Sequence, residues 1–187
     1  MAPFSRITNN RRKSNAAALE AFGLTSEFVG ESGLCRIVRE GTGPTLFTIG
    51  YEKRDSEDLI SSLVNVGIEV LIDVRERPIS RVPDFRKNAL EAACVNAGIK
   101  YESRPELGST SHQRKRLRES GDFSEFKRRF RDFARRGREA EIEDLANMIS
   151  NTVVALICYE RLHEECHRSI LADLVADQVD AHVIAIC

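Results

Sequence analysis

Three nearly continuous apolar runs constrain the fold of this chain more than any other feature. They occupy residues 45–49, 68–74 and 152–157, and each contains β-branched residues. Such runs are typical of strands buried on both faces, as in a parallel sheet covered by helices. Patterns of helical period separate and follow them, for example at 56–66. The alternation therefore predicts an α/β fold, a three-layer sandwich with a mainly parallel sheet and helices on both faces.

The same patterns predict the remaining elements. Strands are expected at 34–38, 99–101 and 181–186, and helices at 15–22, 87–96, 123–136, 139–149 and 168–176. We interpret residues 1–44 as a partly ordered N-terminal extension, with 1–13 only weakly ordered. Residues 45–187 are then one α/β domain, since a chain of 187 residues is too short for two ordinary ones.

Composition bears on the cellular location of the protein and on the state of its cysteines. With 42% hydrophobic and 30% charged residues, the chain resembles a globular protein, and no apolar run approaches the roughly 18 residues of a spanning helix. The basic start lacks an apolar segment of the kind a secretory signal needs. Five cysteines are an odd number outside any regular framework. We therefore predict a cytoplasmic protein with reduced thiols and no membrane contact, in which Cys35, Cys94 and Cys187 have no special role.

Polar side chains follow four of the predicted strands, at the point where each strand ends. Carboxyl ends of parallel strands meet at one edge of a sheet, where ligands of open α/β folds bind. Asp73 and Arg75 are two residues apart, so both side chains point to one face. Either Asp73 holds an arginine in place while Arg75, Arg77 and Arg168 form a cationic pocket for phosphate or carboxylate, or Asp73 and Arg75 are a purely structural pair. The predicted substrate-binding residues are Gly50, Tyr51, Asp73, Arg75, Arg77, Glu106 and Arg168.

The segment 158–168 carries the densest group of reactive side chains. It reads Cys-Tyr-Glu-Arg-Leu-His-Glu-Glu-Cys-His-Arg and joins the last long apolar run to a helix. A thiol at a helix N-terminus beside histidine and arginine is favoured as thiolate. Cys158, Glu160, Cys166 and His167 are therefore candidate catalytic residues. The alternative is that both cysteines are simply buried, as free cysteines commonly are.

No metal and no cofactor are predicted. Cys158, His163, Cys166 and His167 are ligand types that zinc prefers, which leaves a metal site open as an alternative. Against it, the chain has no Cys-x-x-Cys pair, and adjacent Cys166 and His167 are not expected to aim at one ion from the start of a helix.

A basic segment spans residues 112–138. It contains eleven Lys or Arg against four Asp or Glu, so its excess of seven leaves −8 for the remainder of a chain of net charge −1. Phenylalanines at 123, 126, 130 and 133 recur at helical spacing and predict a core-facing stripe. The charged flank is either a solvated surface or a nucleic-acid phosphate footprint. Oligomeric state is not predicted, although this helix could pack against a second copy.

Short motifs along the chain resemble the family called domain of unknown function 488. The resemblance extends over about residues 45–186 and implies an α/β domain with signature residues at strand ends, but no established reaction. The motif residues are Gly50, Asp73, Arg75, Phe85, Glu106, Gly108, Cys158, Glu160, Cys166, His167 and Arg168. Tyr51 stands where the family commonly has histidine, and residues 1–44 lie outside the pattern.

Two function classes follow from these observations. The first is an enzyme acting on an anionic or nucleotide-like substrate, with Cys166 or Cys158 as nucleophile and Glu160 or His167 moving protons. The second is a non-catalytic module that binds a nucleotide or nucleic acid in the same basic pocket. The partners considered are an anionic small molecule or nucleotide, and nucleic acid through residues 112–138.

Overall fold

One six-stranded sheet forms the centre of the molecule. The computed structural model of the chain describes residues 35–186, so the predicted helix at 15–22, the segment 1–13 and Cys187 lie outside the described residues. The strands are β1 (Cys35–Arg39), β2 (Thr45–Gly50), β3 (Val70–Asp73), β4 (Lys100–Ser103), β5 (Val154–Cys158) and β6 (His182–Ile186). Their order is β1-β6-β2-β5-β3-β4. All neighbours are parallel except β1, which runs antiparallel to β6.

Helices cover both faces of this sheet. Within residues 35–186 they are α1 (Ser56–Asn65), α2 (Lys87–Asn96), α3 (Ser111–Ser120), α4 (Phe123–Arg135), α5 (Glu139–Ile149) and α6 (His167–Val179). One core joins α4, α5 and α6 to the sheet, and a second core joins α1 and α2 to the other face. The predicted three-layer α/β sandwich is confirmed.

The phenylalanine stripe shows why α4 packs where it does. Phe126 and Phe130 are buried in the core beneath α4, and Phe123 and Phe133 are partly buried against it. Their rings follow one another along a single helix face, as the spacing predicts. Asp122 begins the helix by accepting a hydrogen bond from the Glu125 amide. The interpretation of this stripe as core is confirmed.

Helix α3 was not predicted, and β3 is shorter than predicted. No residue of α3 is buried, so it has no apolar periodicity to reveal it. Its signal is instead a capping box, in which Thr110 and Gln113 exchange hydrogen bonds with each other's backbone. β3 is limited to Val70–Asp73, whereas the apolar run begins at residue 68. Ile68 is buried before the strand starts, which extends the run without extending the strand.

Strand register fixes which side chains share a face at the carboxyl edge. Gly50 pairs with Cys158, and Asp73 pairs with Ile157. Alternation along the strands therefore places Val74 and Cys158 on the face covered by α4, α5 and α6. Tyr51 lies on the face covered by α1 and α2. Over residues 35–186, none of the helices has the length and apolar character needed to span a bilayer.

Candidate functional site

Two polar clusters lie at the carboxyl edge of the sheet, on opposite faces. The first, here called the sulfur cluster, consists of Cys158, Glu160, Cys166 and His167. Its Sγ, carboxylate and imidazole nitrogen atoms all lie within 4.8 Å of one another. The second is centred on Asp73 and Arg75, with Tyr51 and Tyr101. The strand ends do meet at one edge as expected, but the sheet separates their side chains into two groups.

The sulfur cluster is assembled by the end of β5 and the start of α6. Cys158 is the last residue of β5 and Cys166 is the N-cap of α6. Nδ1 of His167 is 3.6 Å from Cys158 Sγ and 3.7 Å from Cys166 Sγ. Cys158 Sγ lies 3.2 Å from Glu160 Oε2, within hydrogen-bonding distance. The expectation that Cys166 and His167 cannot face one point is therefore wrong.

The His167 ring is held in place by contacts on the side away from the two sulfur atoms. Its Nε2 is 3.0 Å from the carbonyl oxygen of Val74, at the end of β3. Because a carbonyl only accepts, Nε2 must carry a proton, and Nδ1 is left to face the two sulfurs. The Phe130 ring packs edge-on against the imidazole with centroids 5.2 Å apart. A backbone group and an aromatic ring thus hold the histidine in one pose.

The surroundings shift the pKa values of the two thiols in opposite directions. Burial opposes ionisation of Cys166, but the hydrogen bond from Cys158 and the charge of His167 lower its pKa well below the usual value. The hydrogen bond with Cys166 and burial raise the pKa of Cys158 well above it. Although burial opposes it, the charge of Cys166 raises the pKa of His167. The arrangement favours a Cys166 thiolate beside a Cys158 thiol and a cationic imidazole.

Glu160 titrates near neutrality. Burial and the charge of Cys166 raise its pKa to about 7. A carboxyl group in this range can both release and accept a proton at neutral pH, which suits general acid–base chemistry.

Arg168 is buried next to the sulfur cluster and anchors the loop that carries Glu160. Its side chain is 1% exposed, and it donates to the carbonyl oxygens of Glu160 and Arg161. Its Nε is buried and has no hydrogen-bond partner among residues 35–186. Within residues 35–186, no carboxylate forms an ion pair with this guanidinium. Its positive charge acts on both thiols and favours their ionised forms.

Gly50 lets the same loop cross the end of β2. A Cβ added at Gly50 would lie 1.9 Å from the carbonyl oxygen of Glu160. No larger residue leaves that backbone in place, so the glycine positions Glu160 through the loop. Gly108 has the same relation to the opposite loop, since its added Cβ would lie 2.2 Å from the amide nitrogen of Glu76.

The second cluster is a buried ion pair with its hydrogen bonds directed inward. Arg75 donates to both carboxylate oxygens of Asp73, at 2.8 and 2.5 Å. It also donates to Tyr51 Oη at 3.0 Å and to the Phe85 carbonyl at 2.9 Å. Although burial opposes it, the hydrogen bond and charge of Asp73 raise the pKa of Arg75. This geometry matches the structural alternative for the Asp73–Arg75 pair.

The remaining predicted pocket residues are spread around the edge. Arg77 is exposed and Glu106 is half-buried, and the Glu106 carbonyl accepts a hydrogen bond from Arg138. Arg168 belongs to α6, on the face opposite the Arg75 network. The expectation that Arg75, Arg77 and Arg168 converge on one anion therefore does not match the geometry.

Sequence reasoning missed two buried polar contacts. Tyr101 donates to Asp73 Oδ2 at 2.6 Å, and burial together with the Asp73 charge raises its pKa. His163 Nδ1 lies 2.8 Å from Thr48 Oγ1, and burial and the charge of Arg168 lower the His163 pKa to about 4. His163 was considered only as a possible zinc ligand, and Tyr101 only as part of a short strand. Their partners lie 28 and 115 positions away, so no local signal marked the contact.

The basic segment is partly neutralised within the chain. Among the described residues its ion pairs join Arg114 to Glu76, Lys115 to Glu119, Arg116 and Arg129 to Glu125, and Arg131 to Asp173. A cavity of about 390 Å³ lined by residues of α3 and α4 contains both basic and acidic side chains. Nucleic-acid contact through residues 112–138 stays a prediction.

Fold and site together define a class: a three-layer α/β protein with a buried sulfur, imidazole and carboxyl group at the carboxyl edge of its sheet. The family model for the Domain of unknown function DUF488 matches residues 55–175, more than half of the chain. The chain therefore belongs to the DUF488 family. The match includes all four residues of the sulfur cluster and begins after Gly50 and Tyr51. No curated protein and no solved structure matches the chain.

Proposed function

We propose that this DUF488 protein is an enzyme that acts on an anionic or nucleotide-like substrate through the sulfur cluster. The observation that carries the proposal is the Cys166 Sγ at the first turn of α6, 3.7 Å from His167 Nδ1 and beside the Cys158 thiol. Thiolate formation is favoured there by the helix N-terminus and by neighbouring positive charge. Cys166 is accordingly the nucleophile.

The balance of charge supports an anionic substrate. Cationic Arg168 and cationic His167 surround a single Cys166 thiolate, and Glu160 is partly protonated near pH 7. The site therefore carries a positive excess whenever Glu160 is protonated. An approaching phosphate or carboxylate is attracted by this excess, and Arg168 Nε is a donor with no acceptor in the described part of the chain.

The residues support a two-step substitution. The thiolate electron pair of Cys166 forms a bond to the electrophilic centre of the substrate, and the leaving group departs with its bonding pair. Glu160 in its acid form gives the leaving group a proton. A water molecule then attacks the covalent intermediate and returns a proton to Glu160, which releases Cys166 as thiolate.

Turnover in this scheme requires movement of the loop at 159–165. Cys166 is only 1% exposed, so a substrate reaches it only when that loop opens. Tyr159 and Leu162 on this loop are each 49% exposed. Their small buried surface makes opening less costly than for a packed segment.

A non-catalytic binding module is the second candidate. The burial of both thiols favours it, because a structural cysteine needs no access to solvent. In that case the basic segment 112–138 would be the binding surface and the sulfur cluster would only support the loop.

Alkylation kinetics distinguish the two candidates. We expect iodoacetamide to modify Cys166 in the reduced, metal-free protein at pH 6.5 at least about tenfold faster than Cys94, because only a thiolate reacts. Cys94 is a matched control, since it is also fully buried while burial raises its pKa to about 12. Peptide mass spectrometry measures both rates in one sample. Inorganic phosphate, as the anion probe, is expected to slow modification of Cys166 alone.

The Cys166→Ser variant should lose the rapid alkylation by iodoacetamide, and the Cys94→Ser variant should retain it. Equal rates at Cys166 and Cys94 would contradict the enzyme and favour the binding module. If Cys166 is alkylated rapidly but phosphate does not slow the reaction, the thiolate is supported and the proposal of an anionic substrate is contradicted.

A further inference from the structure

We propose that the sulfur cluster is also a closed zinc site. In it, Cys158, Cys166 and His167 bind one zinc ion through Sγ, Sγ and Nδ1, and a carboxylate oxygen of Glu160 is the fourth ligand. Two thiolates with an imidazole and a carboxylate are a ligand set typical of four-coordinate zinc.

Distances between the donor atoms carry this inference. A tetrahedral ion with Zn–S bonds of about 2.3 Å and Zn–N bonds of about 2.0 Å separates sulfur from nitrogen by roughly 3.5 Å and sulfur from sulfur by roughly 3.8 Å. The two Sγ–Nδ1 distances are 3.6 and 3.7 Å. Glu160 Oε2 is 3.2 Å from Cys158 Sγ, and all four atoms lie within 4.8 Å of one another. Two sulfur–nitrogen distances therefore match a tetrahedral zinc shell, and the remaining donor atoms are close enough to complete it.

The second observation is the support behind His167. Metal-binding histidines usually donate their other ring N–H to a carbonyl or carboxylate, which fixes the tautomer. Nε2 of His167 donates to the Val74 carbonyl at 3.0 Å, so the Nδ1 lone pair of the neutral ring points toward the sulfurs. Arg168 also holds the backbone carbonyl of Glu160, which fixes the base of the fourth ligand.

Charge neutrality is the third observation. Zinc with two thiolates and one carboxylate has a net charge of −1. Arg168 is buried beside these ligands with no carboxylate ion pair in residues 35–186, and its single positive charge balances the site. A buried group of charges that cancel is less costly than one with a net charge, which favours zinc in this site.

Zinc would regulate the thiol chemistry, and this part rests on the proposed function. Binding uses the Cys166 electron pair that a nucleophile needs, and a shell of four protein ligands leaves no position for substrate. The zinc-loaded protein is then the inactive form, and removal of zinc exposes the thiolate.

Metal titration of the full chain tests the site directly. The reduced protein is stripped with a chelator, then titrated with zinc in competition with a chromogenic chelator, and the bound metal is counted by elemental analysis. We expect one zinc per chain. Cobalt(II) in place of zinc should give the thiolate charge-transfer absorption of a tetrahedral site.

Matched variants separate the cluster from other residues. Cys158→Ser is expected to abolish one-to-one binding, and Glu160→Gln to weaken it at least about tenfold, as loss of a metal ligand or its support typically does. Cys94→Ser and Glu165→Gln, a buried cysteine and an exposed carboxylate outside the cluster, should bind like the parent chain. Glu160→Gln is nearly isosteric and tests the site even if Cys158→Ser does not fold.

The outcomes separate this proposal from the proposed function. Absence of stoichiometric zinc, unchanged affinity in Glu160→Gln, or a cobalt spectrum without thiolate bands overturns the zinc site, whatever the alkylation result. If the protein binds zinc but Cys166 of the metal-free protein does not react with iodoacetamide, the zinc site is supported and the proposed thiol enzyme is contradicted. Zinc that binds but leaves Cys166 as reactive as in the stripped protein also overturns the proposal.

Discussion

Glu160 is the residue of the sulfur cluster whose charge changes near neutral pH. Its carboxyl group is part-buried beside the Cys166 thiolate, and both influences favour the protonated form. The folded state therefore holds this proton more tightly than the unfolded chain does. Such a difference must appear in the pH dependence of stability.

Replacing Glu160 with glutamine should change that dependence. The pKa rises from an ordinary 4.5 to about 7 on folding, so the stability that Glu160 contributes is complete below pH 4.5 and is lost as pH rises toward 7. The Glu160→Gln variant lacks this loss. Between pH 4.5 and 7 we therefore expect its free energy of unfolding to rise relative to that of the parent chain by on the order of 1 kcal/mol. This value is reduced because the carboxyl group is partly exposed to solvent. Urea unfolding of the metal-free proteins across this range measures the difference.

Glu165→Gln is the control, since Glu165 is an exposed carboxylate close by on the same loop. Parallel pH curves for Glu160→Gln and the parent chain would show that Glu160 keeps an ordinary pKa.

At the same scale, the sequence could predict the residues of the site but not their division between two faces. Asp73 and Arg75 share a face by their spacing, and this expectation is met. Which face receives Cys158 depends on how β5 aligns with its neighbours, and a shift by one residue would reverse the result. Register arises from packing over the whole sheet, so no local motif encodes it.

Among the elements, the loop that follows β5 depends most closely on a partner from another strand. Gly50 ends β2, and the Glu160 backbone lies directly against its Cα. Gly50→Ala should push this loop away and destabilise the fold by about 1–3 kcal/mol, because overpacking forces the backbone to shift. Chemical denaturation measures the change in the free energy of unfolding.

Gly137→Ala is a matched control for this substitution. A Cβ added at Gly137 meets no neighbouring atom within 4 Å. If the two variants differ by less than about 0.5 kcal/mol, the close approach at Gly50 does not position the loop.

Elements with strong apolar patterns were predictable, and elements held by polar contacts were not. The helices at 87–96 and 139–149 have the predicted bounds because buried residues recur along one face of each. α3 contributes only Leu117 to a core, as a partly buried residue, and is joined to the β3 loop through Ser111 and Arg114 on Glu76. Polar contacts between distant segments leave no periodic trace in a sequence.

The whole molecule has an uneven distribution of buried surface. α6 buries nine residues and contacts the sheet along its length, whereas α3 buries none. Stability follows buried contacts, so different parts of one fold open at different free energies.

Hydrogen exchange should reveal this difference. We expect amides of α3 to exchange through local opening, at least about a hundredfold faster than those of α6, which should open only with the whole domain. Mass spectrometry of peptides from 111–120 and 167–179 measures both in one experiment. Similar protection in the two helices would mean that the polar contacts of α3 hold it as firmly as a core.

The backbone at Val74 has a consequence for how the two faces communicate. Its carbonyl orients His167 on one side, while its neighbours Asp73 and Arg75 build the ion pair on the other. A strand is a single layer of chain, so any displacement there is transmitted to both sides at once. A substitution that breaks the Asp73–Arg75 pair is therefore expected to disturb the Val74 carbonyl and the hydrogen bond that orients His167.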